Sequence, residues 1–552
     1  MARKTGQPRD QYRPFDTPIE DMIAQDNQVR VVDAFVDMLD LEKLGFRAVK
    51  ANRMGASSYD PADMAKLYFY SYLNRIRSSR MIERECHRNI EVMWLIGGLA
   101  PSQHTISSFR TLKETDKVTG EVLFDHRKAL VGVFRAFNRF LDKQGLFGKT
   151  TFAIDGTKIA AQNSKKKHLS ADKLARKLER VDNRIEEYFE ELDAADLDTP
   201  VREWPADKLA VAIALEALDD NRNQLLAQQE MLKKAMEADP TVTQICFTDP
   251  DARMLPINNE GMMQIAYNVQ STVDDKHCLI ADFSVENQKD LYLLSKMAKS
   301  VKAEYSIGDG MEVLADKGYC SGKGIHECTE AGIVTYVAVP EQSFGDRPKG
   351  FRKTDFNYDE GKDLYVCPAN KELATSGSWH EKRGRQGHLQ SRYKLYRSSF
   401  TVCSECPFKE KCLSKANIEQ RHGRTIERSE YEQDYLDNKK RVLLNREKYK
   451  RRQAIVEHPF GTIKRSWGAY FTLVKRLDKV AGEMAIVFSC YNLRRAMSIL
   501  GVIDLIKALK SRFLPETAFL SPRSGTFPGT VIFCSPKYAT LKTNLVAFGI
   551  AA

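Results

Sequence analysis

Thr151-Phe-Ala-Ile-Asp-Gly-Thr-Lys158 is an apolar run that ends abruptly on a carboxylate, a glycine and a lysine. A short apolar run of this kind is typical of a buried central strand. A carboxylate at the end of such a strand is either paired or binds a metal ion, because an isolated buried charge is costly. We therefore expect a sheet organised around this stretch, and the rest of the chain must supply partners for Asp155.

Two later stretches supply further carboxylates. Val313-Leu-Ala-Asp-Lys-Gly-Tyr319 is again an apolar strand, and it ends on Asp316. Ala454-Ile-Val-Glu-His-Pro-Phe-Gly461 places Glu457 in a segment of helical character. Carboxylates are ligands of Mg²⁺ and Mn²⁺, and phosphodiester chemistry uses two such ions about 4 Å apart. The three acids therefore predict a two-metal phosphoryl-transfer site in which Asp155 bridges both ions.

The order of strands and helices around these acids predicts the fold class. Residues 264–273 and 277–285 alternate like strands and form a three-strand meander with the first stretch. A helix over 290–305, the Asp316 strand, a helix over 323–330 and a strand over 333–339 follow. This order predicts a mixed α/β sheet with the acids at strand ends, and it matches the ribonuclease-H-like fold.

Two other aspartates compete for the metal. Asp249 and Asp251 lie in Thr248-Asp-Pro-Asp-Ala-Arg253, directly before the meander. Both are rival ligands that could line the same cleft, and nothing in the sequence alone excludes them.

The first 130 residues are predicted to form a helical DNA-binding domain. Ser102-Gln-His-Thr-Ile-Ser-Ser-Phe-Arg-Thr-Leu-Lys113 reads as a short helix after a glycine and proline break. Its polar face carries these side chains: Gln103, His104, Ser107, Arg110 and Lys113. Such residues suit a helix-turn-helix reader that contacts bases or phosphates. An ordinary helical bundle with a solvated face fits the same residues.

Two insertions are expected within the catalytic domain, which spans 145–500. Residues 164–240 are rich in Ala, Glu, Lys, Leu and Arg and carry a coiled-coil-like apolar stripe. A turn-rich break at 198–205 divides them into an antiparallel helical hairpin, which serves as a spacer or contacts DNA or a second copy. Residues 345–430 form a Cys-rich insertion before Glu457.

The cysteines of that second insertion are candidate zinc ligands. Cys403-Ser-Glu-Cys406 is a C-x-x-C knuckle compatible with tetrahedral zinc, and Cys367 and Cys412 bring the number of thiolates to four. The second pair does not repeat the knuckle spacing. Reduced buried cysteines or a redox pair are the alternatives to a structural zinc ion.

Composition restricts the classes of partner and the cellular compartment that fit this protein. The chain of 552 residues has 85 Lys and Arg against 74 Asp and Glu, a formal charge of +11, which favours a polyanionic partner. No run approaches the roughly 20 apolar residues of a membrane helix, and no apolar segment follows the basic N-terminus, so we expect a cytoplasmic protein with no membrane partner. The other cysteines are scattered and expected to be reduced. Residues 515–552 are expected to be a poorly ordered tail.

At these motifs the chain resembles DDE transposases of bacterial insertion sequences, of the subgroup with a cysteine-bearing insertion before the final glutamate. The likeness runs from the region of Tyr12 to about Leu500. The matching pieces are Ser79-Arg80-Met-Ile-Glu83, Thr105-Ile-Ser-Ser-Phe-Arg110, Ala153-Ile-Asp-Gly-Thr-Lys158, Thr248-Asp-Pro-Asp-Ala-Arg253, Tyr267-Asn-Val-Gln270, Ala315-Asp-Lys-Gly-Tyr319, the four cysteines and Val456-Glu-His-Pro-Phe-Gly-Thr-Ile-Lys464.

The resemblance implies that Asp155, Asp316 and Glu457 are the catalytic triad. It also implies that Tyr449, Arg452 and Lys464 form a signature around the glutamate. Four residues separate Arg452 from Glu457 where the related pattern has three, so Arg452 or the neighbouring Gln453 holds that place.

The resemblance further implies a cut-and-paste transposase. Such an enzyme hydrolyses phosphodiesters at the element's ends with two Mg²⁺ or Mn²⁺ ions and then joins the freed 3′-hydroxyl to target DNA. Terminal repeats and target DNA are the expected partners, bound by a homodimer or higher multimer. The residues expected to contact DNA are Gln103, Ser107, Arg110, Lys113, Arg452, Lys464 and Arg465. A nuclease on the same fold and a DNA-binding regulator with an inactive site are the alternatives.

Overall fold

The computed structural model describes residues 18–47, 59–162, 168–195, 206–238, 242–256, 262–340, 351–383 and 389–511. The expected break at 198–205 and the expected tail at 515–552 lie outside these residues. The ten cysteines in the described part are free thiols, and Cys534 lies outside it.

The N-terminal part is helical, as predicted. Asp60 begins one helix by accepting a hydrogen bond from the Ala62 N–H at 2.8 Å, with Pro61 at the first helical position. A short hairpin separates this group from a longer helix. The elements are α1 (Gln28–Asp37), α2 (Pro61–Leu73), α3 (Ser79–Cys86), α4 (Ile90–Leu95), α5 (Gln103–Phe109), β1 (Lys113–Thr115), β2 (Val122–Asp125) and α6 (His126–Lys143).

A mixed α/β sheet follows, and it confirms the predicted class. Its elements, together with the helical hairpin and the short strand pair inserted into it, are β3 (Thr151–Ala160), β4 (His168–Ser170), α7 (Ala171–Ala195), α8 (Ala206–Ala238), β5 (Gln244–Cys246), β6 (Arg253–Pro256), β7 (Met263–Asp274), β8 (Ile280–Glu286), α9 (Leu294–Glu304), β9 (Met311–Ala315), α10 (Gly322–Glu330) and β10 (Ile333–Val337).

The strands run in the order β10-β9-β3-β7, with β6 and β8 both pairing with β7. The β3, β7 and β8 strands form the antiparallel meander, whereas β9 and β10 continue the sheet in parallel with β3. One expectation needs correction. The strand β3 does not end at Asp155, because residues up to Ala160 still pair with β7; only its pairing with β9 stops, at Ile154.

The hairpin α7–α8 has a small core of its own, closed at its base by the β4–β5 pair. The predicted stripe is buried at Leu174 and Val181, while Phe189 and Ile213 further along the hairpin are exposed. The described part of the hairpin therefore stabilises itself near its base, where it leaves the sheet.

The segment that carries the four clustered cysteines folds around a second, five-stranded antiparallel sheet in the order β11-β12-β13-β14-β15. Its elements are β11 (Asn357–Asp359), β12 (Leu364–Val366), β13 (Glu372–Arg383), β14 (Leu389–Arg397), α11 (Phe400–Ser404), α12 (Lys409–Cys412), α13 (Lys415–Glu419) and β15 (Thr425–Ser429). A separate apolar cluster that includes Tyr365, Leu373 and Tyr396 supports this sheet.

The described part of the chain ends with four α-helices, namely α14 (Glu432–Leu444), α15 (Arg446–Phe460), α16 (Leu477–Leu500) and α17 (Val502–Ser511). Pro459 lies within the last turn of α15 rather than at a helix start, and Gly461–Ser466 continues it as a π-helix. Proline lacks the N–H that an α-helix needs, which accounts for the change of helical register. The helix α17 was not predicted.

The N-terminal helices and the sheet share one contiguous apolar core. The helix α16 is buried along most of its length and packs against α2 and α6, while α17 packs against α1. In the described ranges no single helix has the length and apolarity to cross a membrane; α16 and α17 meet those criteria only as a pair, bent by 111°.

Candidate active site

The two predicted strand-end aspartates lie side by side. The parallel pairing of β3 with β9 ends at Ile154 and Ala315, and Asp155 and Asp316 are the next residues of the two strands. Asp316 then begins a short 3₁₀ turn, in which its carboxylate accepts the Gly318 N–H at 2.8 Å. The register of the sheet is therefore what brings these carboxylates together.

The carboxyl of Asp155 has an unusual proton affinity. Burial raises its pKa to about 6, and the negative charges of Asp316 and Asp290 act in the same direction. Arg452 opposes this rise, with its Nη1 3.6 Å from Asp155 Oδ2. Crowded carboxylates of this kind favour a proton or another cation between them.

Arg452 lies on α15, which packs against β3, β7 and β9. Its Nη1 is buried without a hydrogen-bond partner although Asp155 is near. One turn earlier, Tyr449 lies beside Arg452; burial raises the pKa of its hydroxyl, the positive charge of Arg452 lowers it, and Asp316 raises it. Two of the three side chains of the predicted signature thus lie at the aspartate pair.

Lys464 approaches β3 from the π-helical segment. Its Nζ donates to Thr157 Oγ1 at 2.9 Å and to the Lys158 carbonyl at 3.3 Å. Burial, reinforced by the positive charge of Lys158, lowers the pKa of Lys464. The ammonium of Lys464 is thus held by Thr157, which is two residues after Asp155, and it is available to an anionic substrate.

Glu457 lies on α15 as predicted but stays apart from the aspartates. It is exposed, and its Oε1 accepts the side-chain N–H of Gln453 at 2.7 Å. Across the described part of the chain, no three or more His, Cys, Asp or Glu side chains are arranged to hold a metal ion. The site as described combines two adjacent carboxylates with two cations.

The rival acids have structural roles. Asp249 is fully buried and accepts the Tyr267 hydroxyl at 2.7 Å and the Arg476 N–H at 3.0 Å. Asp251 accepts the N–H of Leu477, the first residue of α16, at 3.0 Å. Both therefore hold the N-terminus of α16, where a negative charge is favourable.

Sequence reasoning missed a polar group on the neighbouring strand. Asn268 and Gln270 are fully buried on β7 and contact Asp290, which is paired with Lys158. The signal was present, since two amides occupy alternating positions in a strand whose other residues between Ile265 and Val273 are apolar or carry a hydroxyl.

The predicted DNA-contacting residues of the N-terminal part have different environments. Gln103 is exposed, and Ser107 is half-buried with its hydroxyl donating to the His104 carbonyl. Arg110 is buried beyond the end of α5 and donates to Tyr72 Oη at 2.9 Å, so it does not lie on the predicted polar face. Lys113 is exposed but lies on β1 rather than on the helix. Arg465, further along the chain, is exposed.

The four cysteines of the insertion line one cavity of about 30 Å³. The backbone N–H of Lys371 donates to Cys367 Sγ at 3.3 Å. Burial raises the pKa of the Cys412 thiol, Arg424 lowers it, and the other three thiols raise it. The four sulfur atoms are thus neighbours although they are not arranged around a common point.

Comparison with known families supplies the identity. A family model described as a transposase domain (DUF772) matches residues 17–112, and one described as a transposase DDE domain matches residues 366–497. The second match contains the four cysteines and Glu457, whereas Asp155 and Asp316 lie outside both. No curated protein and no solved structure matches the chain. The chain belongs to the DDE transposases of insertion sequences.

Proposed function

We propose that this transposase cleaves DNA at the ends of its insertion sequence and joins the freed 3′-hydroxyl to target DNA. The observation that carries the proposal is the pairing of Asp155 with Asp316 beside Arg452 and Lys464. Acids and cations around one point suit a phosphodiester, whose charge grows in the transition state.

We further propose that the catalytic core is ribonuclease-H-like. The support is the strand order β8-β7-β3-β9-β10, with three antiparallel strands followed by two parallel ones. In this arrangement Asp155 lies on the central strand and Asp316 follows its parallel neighbour.

The donor set fits divalent metal ions. Asp155 and Asp316 are hard oxygen ligands, and burial, reinforced by the charges of Asp316 and Asp290, raises the pKa of Asp155, so a bound cation would favour its ionised form. Glu457 is proposed to complete the set, which requires α15 to bring it closer than it lies here. Two Mg²⁺ or Mn²⁺ ions would activate the attacking oxygen and stabilise the leaving one.

The protein's own side chains then bind and orient the DNA. Lys464, held against β3 by Thr157, places a positive charge where a phosphate would lie. Arg452 is close enough to Asp155 to contact the same phosphate, and its unpartnered Nη1 can donate to it. Tyr449 limits the movement of Arg452 by packing beside it.

DNA recognition is proposed to fall to the N-terminal helices. Gln103, Ser107 and Lys113 retain exposed or partly exposed side chains, and Arg465 extends the basic surface from the active site. Arg110 is not included, because it is buried. A dimer or larger multimer is proposed to hold both element ends at once.

The four-cysteine cavity is proposed to hold a structural zinc ion. Four thiols line it, and a backbone N–H already donates to one sulfur, as is favourable for a thiolate ligand.

The experiment for the catalytic proposal uses labelled duplexes taken from the DNA on either side of the gene. Asp155→Asn, Asp316→Asn and Glu457→Gln should each abolish cleavage in Mg²⁺ or Mn²⁺. Binding of the same duplexes in Ca²⁺, measured by gel shift, should stay near the parent's because the cationic contacts remain. A double substitution should be scarcely worse than a single one, since the ligands act as a unit.

Glu447→Gln is the matched control, because Glu447 is an exposed acid on the same helix as Glu457. It should cut at the parent's rate. Cleavage by Glu457→Gln at that rate would show that another acid is the third ligand. Cutting without strand transfer would instead favour a nuclease, and binding without cutting would favour a regulator.

A further inference from the structure

A polar cluster lies beneath the aspartate pair, on the strand β7. In the β3–β7 register, Gly156 pairs with Gln270 and Lys158 pairs with Asn268. Asn268 and Gln270 are both fully buried, a position that polar side chains occupy only when their hydrogen bonds are satisfied. Lys158 Nζ donates to Asn268 Oδ1 at 2.8 Å, which joins the two strands by their side chains.

Asp290 collects the donors of this cluster. It begins the short 3₁₀ helix after β8, and its Oδ1 accepts N–H groups from Asn268 and Gln270, each at 2.8 Å. Lys158 Nζ also lies 3.0 Å from its Oδ2. Three donors therefore hold the carboxylate of Asp290. The hydrogen bond from Gln270 Nε2 to Asp290 also fixes the orientation of the Gln270 amide.

The other end of Gln270 reaches the segment that carries Asp316. Tyr319, the last residue of the 3₁₀ turn that Asp316 begins, is buried and donates its hydroxyl to Gln270 Oε1. The chain of contacts runs from Asp290 through Gln270 to Tyr319 and hence to the turn of Asp316.

Gly156 gives this cluster the space it occupies. A Cβ at this position would lie 2.8 Å from Asp290 Oδ1 and 2.9 Å from Asn268 Oδ1, and closer still to the Gln270 amide. A side chain after Asp155 would thus displace the cluster, which explains on steric grounds why an Asp-Gly pair occupies this point of the strand.

We propose that Gln270, held by Asp290 and acting through Tyr319, is a positioning residue that fixes the turn of Asp316 against Asp155 and so sets the affinity of the pair for divalent cations. The proposal rests on the proposed function, since it takes these aspartates to be cation ligands. It gives a role to the stretch Tyr267-Asn-Val-Gln270, which contains none of the proposed metal ligands.

Tyr319→Phe tests this by removing a single hydroxyl. Binding of Mn²⁺ to the full-length protein, followed by electron paramagnetic resonance titration without DNA, should weaken about 10- to 100-fold, the usual effect of losing a partner that orients a metal ligand. Tyr305→Phe is the matched control. The buried hydroxyl of Tyr305 donates a 3.0 Å hydrogen bond to the Ala281 carbonyl, and neither residue belongs to the site. It should bind Mn²⁺ as the parent does.

A second variant helps to distinguish a loss of the Tyr319–Gln270 hydrogen bond from a general loss of folding. Gln270→Met has nearly the same volume but no hydrogen bonds, and it should weaken Mn²⁺ binding as much as Tyr319→Phe does. Because Gln270 acts through Tyr319, the double variant should be no worse than either single one. Urea unfolding of each variant shows whether the protein titrated is folded.

Mn²⁺ affinities within twofold of the parent in folded Tyr319→Phe and Gln270→Met would overturn the proposal, and so would losses that simply add. A parent that binds no Mn²⁺ would overturn it together with the metal site. A parent that binds Mn²⁺ but cuts no DNA would remove the proposed function alone, and the titration would still decide the role of Gln270.

Discussion

Asp155 is destabilising when it is ionised and no metal ion neutralises it. Its pKa lies at about 6, above the value of 3.8 expected in an unfolded chain, because burial outweighs the attraction of Arg452. The folded protein therefore binds more protons than the unfolded chain between these values, and stability falls as pH rises from about 4 to about 6. Above that range the loss is complete.

Asp155→Asn should accordingly unfold at a higher temperature than the parent at pH 7.5 in the presence of a chelator. The gain is at most about 3 kcal/mol, from the 1.36 kcal/mol of each pKa unit, and it should vanish as the pH approaches 4. Asp363→Asn is the opposite control, because hydrogen bonds from Lys394 and Tyr396 lower the pKa of Asp363 to about 2. Thermal scans against pH that gave both variants the same sign would contradict this account.

Much of the candidate site could be predicted at this scale. Asp155 and Asp316 each end an apolar run, and such runs pair in a sheet, so their meeting followed from local patterns. The role of Asp249 could not be predicted in this way. It depends on a contact with Arg476, and no periodicity records an interaction over such a separation in sequence.

At the scale of elements, the strands and helices between β7 and β10 were predicted to within a few residues because their apolar periods are strong. The second sheet was not predicted. Its longest strand, β13, is exposed at most positions, so it lacks the alternation of apolar and polar residues that identifies a strand. The sheet is held by a small apolar cluster instead, to which Cys367 and Cys412 contribute.

Zinc would supplement that small cluster. We expect about one equivalent of zinc in protein purified without chelator, measured by elemental analysis. Cys406→Ser should lose the metal and make the second sheet more sensitive to protease, because the ion would link α11 and α12 to Cys367 at the end of β12. Cys278→Ser, a half-buried thiol outside the cavity, is the control and should change neither. Zinc well below one equivalent in folded, active protein would rule the site out.

At the scale of the whole molecule, the N-terminal helices are not a detachable module. They share the core of α16, and a buried ion pair joins the two parts: Arg77, between α2 and α3, lies 2.8 Å from Glu483 on α16. The guanidinium also donates to the carbonyls of Gly468 and Phe471, while Glu483 accepts the Leu473 N–H. DNA bound by the N-terminal helices would therefore be held rigidly relative to the segment that carries Lys464.

The Arg77–Glu483 ion pair should contribute to the stability of this shared core. Arg77→Met and Glu483→Leu should each lower the free energy of unfolding by about 3 to 5 kcal/mol, because each leaves an unpaired buried charge. The double variant should lose much less than the sum, since neither charge then remains. Lys43→Ala, which breaks an exposed pair with Asp40, should change little. Urea unfolding followed by circular dichroism and by tryptophan fluorescence should show one shared transition for the N-terminal helices and α16 in the parent, because these elements share one core. Two separate transitions, with additive losses in the double variant, would mean that the N-terminal helices fold independently of α16.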